Sequence, residues 1–237
     1  MSRSDVEAYW PDYGAKGKLV TAAGRVDEEL GAAQKSLLFI VDADWAPFMG
    51  PEPIRRACLL TTDYPAMEHY YLETTALDRF LTLALTRPDL FAADVRVALH
   101  GALGDLMAGR MLLHSLHVAA IEKFVALCDF SSIPSVCDSA LLVERSVNAA
   151  RQKGQKVKVS EVGVQLQFFK SMLVGAPRSG RGHDIAPLLI AYLGLKGSLA
   201  SVEVVERLLR TSVRVEELAH FELFKSILMR VRSASTS

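Results

Sequence analysis

The sequence contains few cysteines and no long apolar segment, and these absences already exclude several classes of protein. Its three cysteines, Cys58, Cys128 and Cys137, include no pair at the spacing of a zinc site. An odd number of thiols is typical of a protein made in a reducing compartment. The longest apolar runs, such as residues 188–193, fall far short of the roughly 20 residues that a membrane helix needs. We therefore expect no membrane span.

The chain also lacks the features of a secreted protein. Residues 1–7 are polar, and no apolar segment follows them, so we expect no secretory signal. A cytoplasmic location is predicted, or the interior of a virion if the protein is viral. At 237 residues, half of them hydrophobic, the chain can bury a sizeable core.

Helical periodicity dominates the sequence. Apolar residues recur every three or four positions from Pro65 to Leu85, which predicts a helix. A longer helical segment follows, where three glycines indicate a break or close helix packing. The predicted helices after residue 85 cover 92–127, 135–152 (capped by Ser135), 160–174, 185–193 and the region from 201 onward.

The sequence therefore predicts an all-α fold, a multi-helix globular protein with two packed helical lobes. Residues 1–35 are interpreted as an N-terminal arm or peripheral segment, residues 36–130 as an acidic lobe and residues 131–237 as a basic lobe. A single continuous domain is the alternative.

One short run, residues 36–41, has the composition of a strand. A strand that leads into Asp42 and Asp44 could indicate a magnesium-dependent phosphotransfer site. A lone strand cannot form the parallel sheet on which such sites are built, and no alternation of strands and helices follows. We therefore interpret this run as the buried end of a helix followed by a turn.

The net charge is zero, but the charges are unevenly distributed. Residues 1–118 carry 11 basic and 16 acidic side chains, whereas residues 119–237 carry 16 basic and 11 acidic ones. Within the second half, residues 145–196 hold nine basic side chains against two acidic ones. A segment with that excess of positive charge attracts polyanions.

Four cations lie within eight residues of this segment, Arg151, Lys153, Lys156 and Lys158, at a predicted connection between helices. A loop of this kind can place its charges along a phosphate backbone. The sequence contains no recognisable helix-turn-helix, zinc finger or RNA-binding strand motif, so recognition of a particular base sequence is not expected.

A glycine-rich loop, residues 175–182, partly matches the phosphate-binding P-loop pattern. Arg181 replaces the lysine of that pattern, and Gly182 replaces the hydroxyl residue that holds magnesium, so binding of a nucleotide in the P-loop manner is not expected. Arg178 and Arg181 still suit phosphate, because a guanidinium group can bind two of its oxygens at once.

A metal site is the alternative hypothesis. Glu217 and His220 are three residues apart and would share one face of a helix. Helices with this spacing hold the metals of di-iron four-helix proteins, but those proteins need two such pairs and two more carboxylates. His114 and His117 could add ligands, although their apolar surroundings favour buried, hydrogen-bonded histidines.

The sequence thus predicts a non-enzymatic structural protein without a cofactor. Its predicted partner is nucleic acid, with RNA as the first choice, or another polyanion, bound without sequence preference. The analogy is to nucleocapsid and matrix proteins. The opposite charges of the two halves also predict a homo-oligomer formed head to tail. The alternatives are a ferritin-like helical metalloenzyme that uses Glu217 and His220, and a protein–protein interaction module.

Overall fold

The structure, a computed structural model, describes residues 15–30, 37–44, 48, 56–158, 160–174 and 179–235. Over these residues the fold is mostly helical with only very small sheets, so the predicted all-α multi-helix fold is confirmed. No helix in this part of the chain has both the length and the apolar character needed to cross a membrane.

The elements are numbered in chain order. The helices are α1 (Ala15–Leu30), α2 (His69–Glu73), α3 (Ala76–Arg79), α4 (Ala92–Ser115), α5 (Ser139–Gln152), α6 (Val162–Leu173), α7 (Gly182–Leu193), α8 (Val202–Ser212), α9 (Val215–Leu218) and α10 (Glu222–Ser235). A π-helical turn covers Phe80–Ala84, and short 3-10 helices cover Val125–Leu127 and Gly197–Ala200. The strands are β1 (Phe39–Val41), β2 (Leu59–Thr61), β3 (Cys128–Asp129) and β4 (Val136–Cys137).

The chain divides into two compact units, one formed by Met1–Met67 with Val215–Ser237 and the other by Glu68–Arg214. The sequence predicts a boundary after residue 130 instead. In the structure, α4, from before that position, packs against α5, α6 and α7, from after it. Apolar residues cover most of the circumference of α4, so this helix needs packing partners on several sides. Its partners α5, α6 and α7 all follow it in the chain.

The first unit contains a small parallel sheet. Strands β1 and β2 pair with Phe39 opposite Leu59, and α1 packs against β1. The interpretation of residues 36–41 as a helix end is therefore wrong, since residues 39–41 form a strand. Its partner strand has three residues and lies 20 positions later, and a segment of three residues is too short to be recognised from alternation. The buried residues of this core are Val20, Ala23, Val41, Cys58 and Leu59.

The same unit includes the last helix. The backbone N–H of Leu223, in the first turn of α10, donates to Asp63 Oδ2 at 3.2 Å. The rings of Tyr64 and Phe221 meet edge to face with 5.7 Å between their centroids. These contacts fix the beginning of α10 against the segment that follows β2.

The second unit is organised around α4. From Leu106 to Leu113 every residue of this helix is buried, so this stretch is enclosed on all sides. The helix ends at Ser115, well before the predicted end at residue 127, because His117 adopts a positive φ of 54° and cannot continue it.

Three further predicted helices differ from those observed, and the one predicted from residue 201 onward is divided into α8, α9 and α10. The helix predicted over residues 65–85 is divided into α2, α3 and the π-helical turn, because Thr74 is extended and ends α2. Helix α5 begins after Asp138, not after Ser135: the Asp138 side chain accepts a hydrogen bond from Leu141 N at 2.9 Å, the geometry of an N-cap. Ser135 is instead buried before β4.

Candidate anion-binding site

The predicted basic loop follows directly from the end of α5. The apolar side of this helix, which includes Leu142, Val143 and Val147, is buried against the core, so its opposite side faces solvent. Beyond Gln152 the chain leaves the helix at Gly154, whose φ of 84° suits glycine.

Two hydrogen bonds complete a Schellman motif at this helix end. Gln155 N donates to Ala150 O at 3.1 Å, and Gly154 N donates to Arg151 O at 2.9 Å. The motif fixes the direction in which the loop leaves the helix, and with it the positions of the lysines that follow.

The Arg151 side chain also fixes the conformation of this loop, as the Schellman motif does. Its Nε and Nη2 atoms donate to the carbonyl oxygen of Val157 at 3.3 and 3.0 Å. Arg151 therefore has a structural role that the sequence interpretation did not include. A guanidinium group has five N–H donors, so three remain for a phosphate.

A groove lies beside this loop, between residues 119–123 and the second half of α5. Its volume is about 670 Å³, within the range of pockets that hold small molecules. We call the apolar residues that line the groove, together with one buried hydroxyl, its floor: Ala119, Ala120, Ile121, Ser146, Ala149 and Ala150.

Polar and charged side chains form the margin of the groove. Lys123, Arg145 and Lys153 contribute positive charge, Glu122 contributes one negative charge, and Gln155 adds an amide. All five are exposed. Three cations against one carboxylate give the margin a positive excess, which favours an anion over a cation.

Two more lysines of the loop follow the groove residue Gln155 in the sequence. Lys156 and Lys158 come one and three residues after Gln155, and both are exposed. We call Lys123, Arg145, Lys153, Lys156 and Lys158 the basic groove cluster. Within the described chain, none of the five forms an ion pair with a carboxylate. By contrast, Lys170 is paired with Asp105 at 2.6 Å.

Two members of this cluster were not predicted as site residues. Lys123 precedes the basic segment by more than 20 residues, and only the fold brings it to the groove. Arg145 belongs to the basic segment but lies on α5, six residues before the predicted loop. Position on the exposed side of the helix is the signal that could have identified it.

The two predicted arginines of the glycine-rich loop are not among the described residues that line the groove. Arg178 lies outside the described residues. Arg181 is exposed at the N-cap of α7, so it belongs to a different element from Arg151, Lys153, Lys156 and Lys158. The first turn of α7 also carries Asp184, whose carboxylate is bound by Arg110.

The residues of the metal hypothesis do not have the expected placement. Glu217 lies in α9, which ends at Leu218, and His220 lies in the turn before α10. The predicted helix that carries both is therefore wrong. Between the two helices, the Phe221 ring packs against Tyr64.

His114 and His117 are both exposed, so the prediction that they are buried is wrong as well. The enclosed part of α4 stops at Leu113, so His114 lies in the exposed last turn of the helix and His117 in the turn after it. In the described part of the chain, no three His, Cys, Asp or Glu side chains are grouped so that they could hold a metal ion.

Comparisons with known proteins bear on how this site can be interpreted. The chain matches no family model, no curated protein and no solved structure. The assignment of a function therefore depends on the chemistry of the groove and of the loop beside it.

Proposed function

We propose that the protein is a non-enzymatic binder of nucleic acid, with single-stranded RNA as the preferred ligand, and that the basic groove cluster is its contact surface. The observation that carries this proposal is the groove itself. It combines an apolar floor with a margin of three cations against one carboxylate, and a nucleotide unit has both an apolar face and an anionic group.

The dimensions and chemistry of the groove support a single strand. A volume of about 670 Å³ can admit an unpaired base with its sugar. The floor residues Ala120, Ala149 and Ala150 present methyl groups, which contact any base without distinguishing its edges. Base identity is read by hydrogen bonds to base edges, so a floor of this kind supports binding that tolerates any sequence.

The margin supplies the contacts to phosphate. Lysine binds phosphate as a point charge, whereas Arg145 can bind two oxygens of one phosphate. Five cations that neutralise five phosphates of a single strand would give a slope of about −3.5 in a plot of log affinity against log salt concentration. Arg151 can add a contact from the loop, since three of its N–H donors remain.

Two further properties belong to the same proposal. Binding of this kind is used by structural proteins that coat RNA, in the cytoplasm or inside a virion, and such proteins self-associate. The excess of acidic residues in 1–118 and of basic residues in 119–237 favours head-to-tail association of copies. Association by charge would weaken as the salt concentration rises.

The proposal is tested by binding of a fluorescent single-stranded RNA of about 15 nucleotides and mixed sequence, followed by anisotropy at several salt concentrations. We expect similar affinity for RNAs of unrelated sequence and a slope of about −3 to −4. The double variant Arg145→Ala/Lys153→Ala should reduce the slope by about 1 to 1.5. Lys196→Ala removes an exposed cation outside the groove, and we expect it to leave the slope within about 0.5 of the wild-type value.

Three outcomes would contradict the proposal. The first is an affinity that does not depend on salt. The second is equal loss of binding in Lys196→Ala and in the groove variant, since the charge of the whole protein would then determine binding. The third is purified protein with an absorbance ratio typical of protein alone, no RNA binding, and stoichiometric iron or zinc, which would favour the metalloenzyme hypothesis.

A further inference from the structure

The small antiparallel sheet of the second unit brings two cysteines together. Strands β3 and β4 pair with Cys128 directly opposite Cys137. In the neighbouring pair, Leu127 and Asp138, the backbone N–H of Asp138 donates to Leu127 O at 2.9 Å. Because hydrogen-bonded and non-hydrogen-bonded pairs alternate in an antiparallel ladder, Cys128 and Cys137 form a non-hydrogen-bonded pair.

The backbone of Cys137 agrees with this assignment. Its N–H donates to Asp105 Oδ2 at 2.9 Å and not to the opposite strand. In non-hydrogen-bonded pairs the two Cα atoms are about 4.5 Å apart and the side chains lie closer than in the other kind of pair. That separation is inside the range of about 4.4–6.8 Å that a disulfide spans.

We propose that Cys128 and Cys137 are an oxidation site that forms an intramolecular disulfide across the two strands when the protein meets a peroxide. This inference does not depend on the proposed binding of nucleic acid. The two cysteines are not members of the basic groove cluster, and neither belongs to a disulfide in the structure.

The environments of the two sulfurs assign them different roles. Cys128 is half-buried and its thiol donates to Phe124 O at 3.8 Å, whereas Cys137 is buried. The hydrogen bond with Cys137 lowers the pKa of Cys128, although burial and the nearby carboxylates of Asp105 and Asp184 act in the opposite direction. The hydrogen bond with Cys128, followed by burial, raises the pKa of Cys137. Cys128 is therefore the sulfur that reacts first, because the thiolate is the nucleophile.

The reaction balances with a peroxide as the only co-reactant. The Cys128 thiolate attacks one oxygen of hydrogen peroxide, the O–O bond breaks, and protonation yields sulfenic acid at Cys128 and water. The sulfur of Cys137 then attacks Cys128 Sγ, the S–O bond breaks, and the departing hydroxide takes the Cys137 proton to form a second water. Two thiols are oxidised to one disulfide, and one peroxide is reduced to two waters.

Cys58 is the internal control for this proposal. It is buried in the first unit, where burial and the Asp27 carboxylate raise the pKa of its thiol. Its thiol donates to Ala23 O at 3.4 Å. A buried thiol with a raised pKa reacts slowly with peroxide, so Cys58 should stay reduced.

The test is to treat the reduced full-length protein with a small excess of hydrogen peroxide and to count thiols in denaturant. We expect the count to fall from the three present to one, with the loss of two hydrogens from the intact mass. Digestion without reductant should give one cross-linked peptide that contains Cys128 and Cys137. At one fixed peroxide concentration, the first-order rate constant of disulfide formation should be unchanged at a tenfold lower protein concentration, because the two cysteines belong to one molecule.

Single variants distinguish the role of Cys128, which reacts with peroxide, from that of Cys137, which then attacks the oxidised Cys128. Cys58→Ser should form the same disulfide, whereas Cys128→Ser should keep both of its thiols. Cys137→Ser should accumulate sulfenic acid at Cys128 that a dimedone probe labels. If Cys137→Ser does not fold, the peptide map of the oxidised wild type still shows whether Cys128 and Cys137 are linked. Oxygen added to Cys128 without a cross-link, a disulfide-linked dimer, or a link to Cys58 would overturn the proposal.

Discussion

Arg110 and Asp184 form a bidentate ion pair inside the second unit and join α4 to α7. Arg110 Nε lies 2.9 Å from Asp184 Oδ2, and Nη2 lies 2.8 Å from Oδ1. Only 9% of the arginine side chain and 4% of the aspartate side chain are exposed. The guanidinium carbon also lies 5.3 Å from the centre of the Phe124 ring, a cation–π contact.

Removal of one partner of this pair should be far more damaging than removal of both. A single substitution, Arg110→Met or Asp184→Leu, leaves an unpaired charge in the interior and should lower the free energy of unfolding by about 3–5 kcal/mol. The double variant removes both charges, and we expect it to lie within about 1–2 kcal/mol of the wild type. Urea denaturation of the four proteins gives the coupling free energy. Additive effects of the two substitutions would show that the pair is not coupled.

The pH dependence of stability provides a second prediction from Asp184. Burial raises the pKa of its carboxyl above the ordinary 3.8, against the opposing attraction of Arg110. A carboxyl with a raised pKa binds its proton more tightly in the folded state than in the unfolded state. Its contribution to stability is therefore complete below pH 3.8 and is lost as the pH rises through the folded-state pKa.

Comparison of the wild type with Asp184→Asn isolates this contribution. We expect the wild-type advantage in the free energy of unfolding to shrink as the pH rises from about 4 to about 7. Urea denaturation at several pH values provides the measurement. An advantage that grows with pH would show that Arg110 lowers the pKa of the carboxyl below its usual value.

The sequence identified the helical class because that class depends on local periodicity. The end of α5 at Gln152 was predicted to the residue, and α6 was predicted to within two residues at each end. Helix α4 was predicted to extend too far because residues 116–127 are also rich in apolar side chains. The positive φ of His117 ends it, and neither composition nor periodicity indicates that angle.

The candidate site was predictable only where its residues are neighbours in the sequence. The cluster of Lys153, Lys156 and Lys158 is visible as a charge run, but the participation of Lys123 requires the packing of residues 119–123 against α5. The face-to-face position of Cys128 and Cys137 likewise depends on the pairing of two strands of two residues each. Segments this short have no periodicity to recognise.

Gly154 should be important for the geometry of the basic loop. Its φ of 84° is unfavourable for residues with a side chain, although no neighbouring atom lies within 4 Å of an added Cβ. Gly154→Ala should therefore lower the free energy of unfolding by about 1 kcal/mol through backbone strain alone. Gly154→Asn should be less harmful, because asparagine adopts this conformation more readily. Equal stability of the alanine and asparagine variants in thermal unfolding would argue against the strained backbone.

Two glycines on α4 should respond in opposite ways to the same substitution. A methyl group at Gly101 would collide with the backbone carbonyl oxygen of Ser135 and lie 2.7 Å from Pro134 Cβ. At Gly104 the nearest atom is Ser179 Oγ at 3.4 Å, which belongs to a hydroxyl group that can rotate away. Alanine stabilises a helix by up to about 1 kcal/mol relative to glycine at either position.

We therefore expect Gly104→Ala to be neutral or to raise the melting temperature by about 2–4 °C. Gly101→Ala should lower the free energy of unfolding by about 1–3 kcal/mol, because the backbone of the β3–β4 connection must move away from α4. The two variants share the helix, the chemical change and the gain in propensity, so their difference reports the contact with residues 134 and 135 alone. Equal melting temperatures would mean that this connection does not pack against α4 at Gly101.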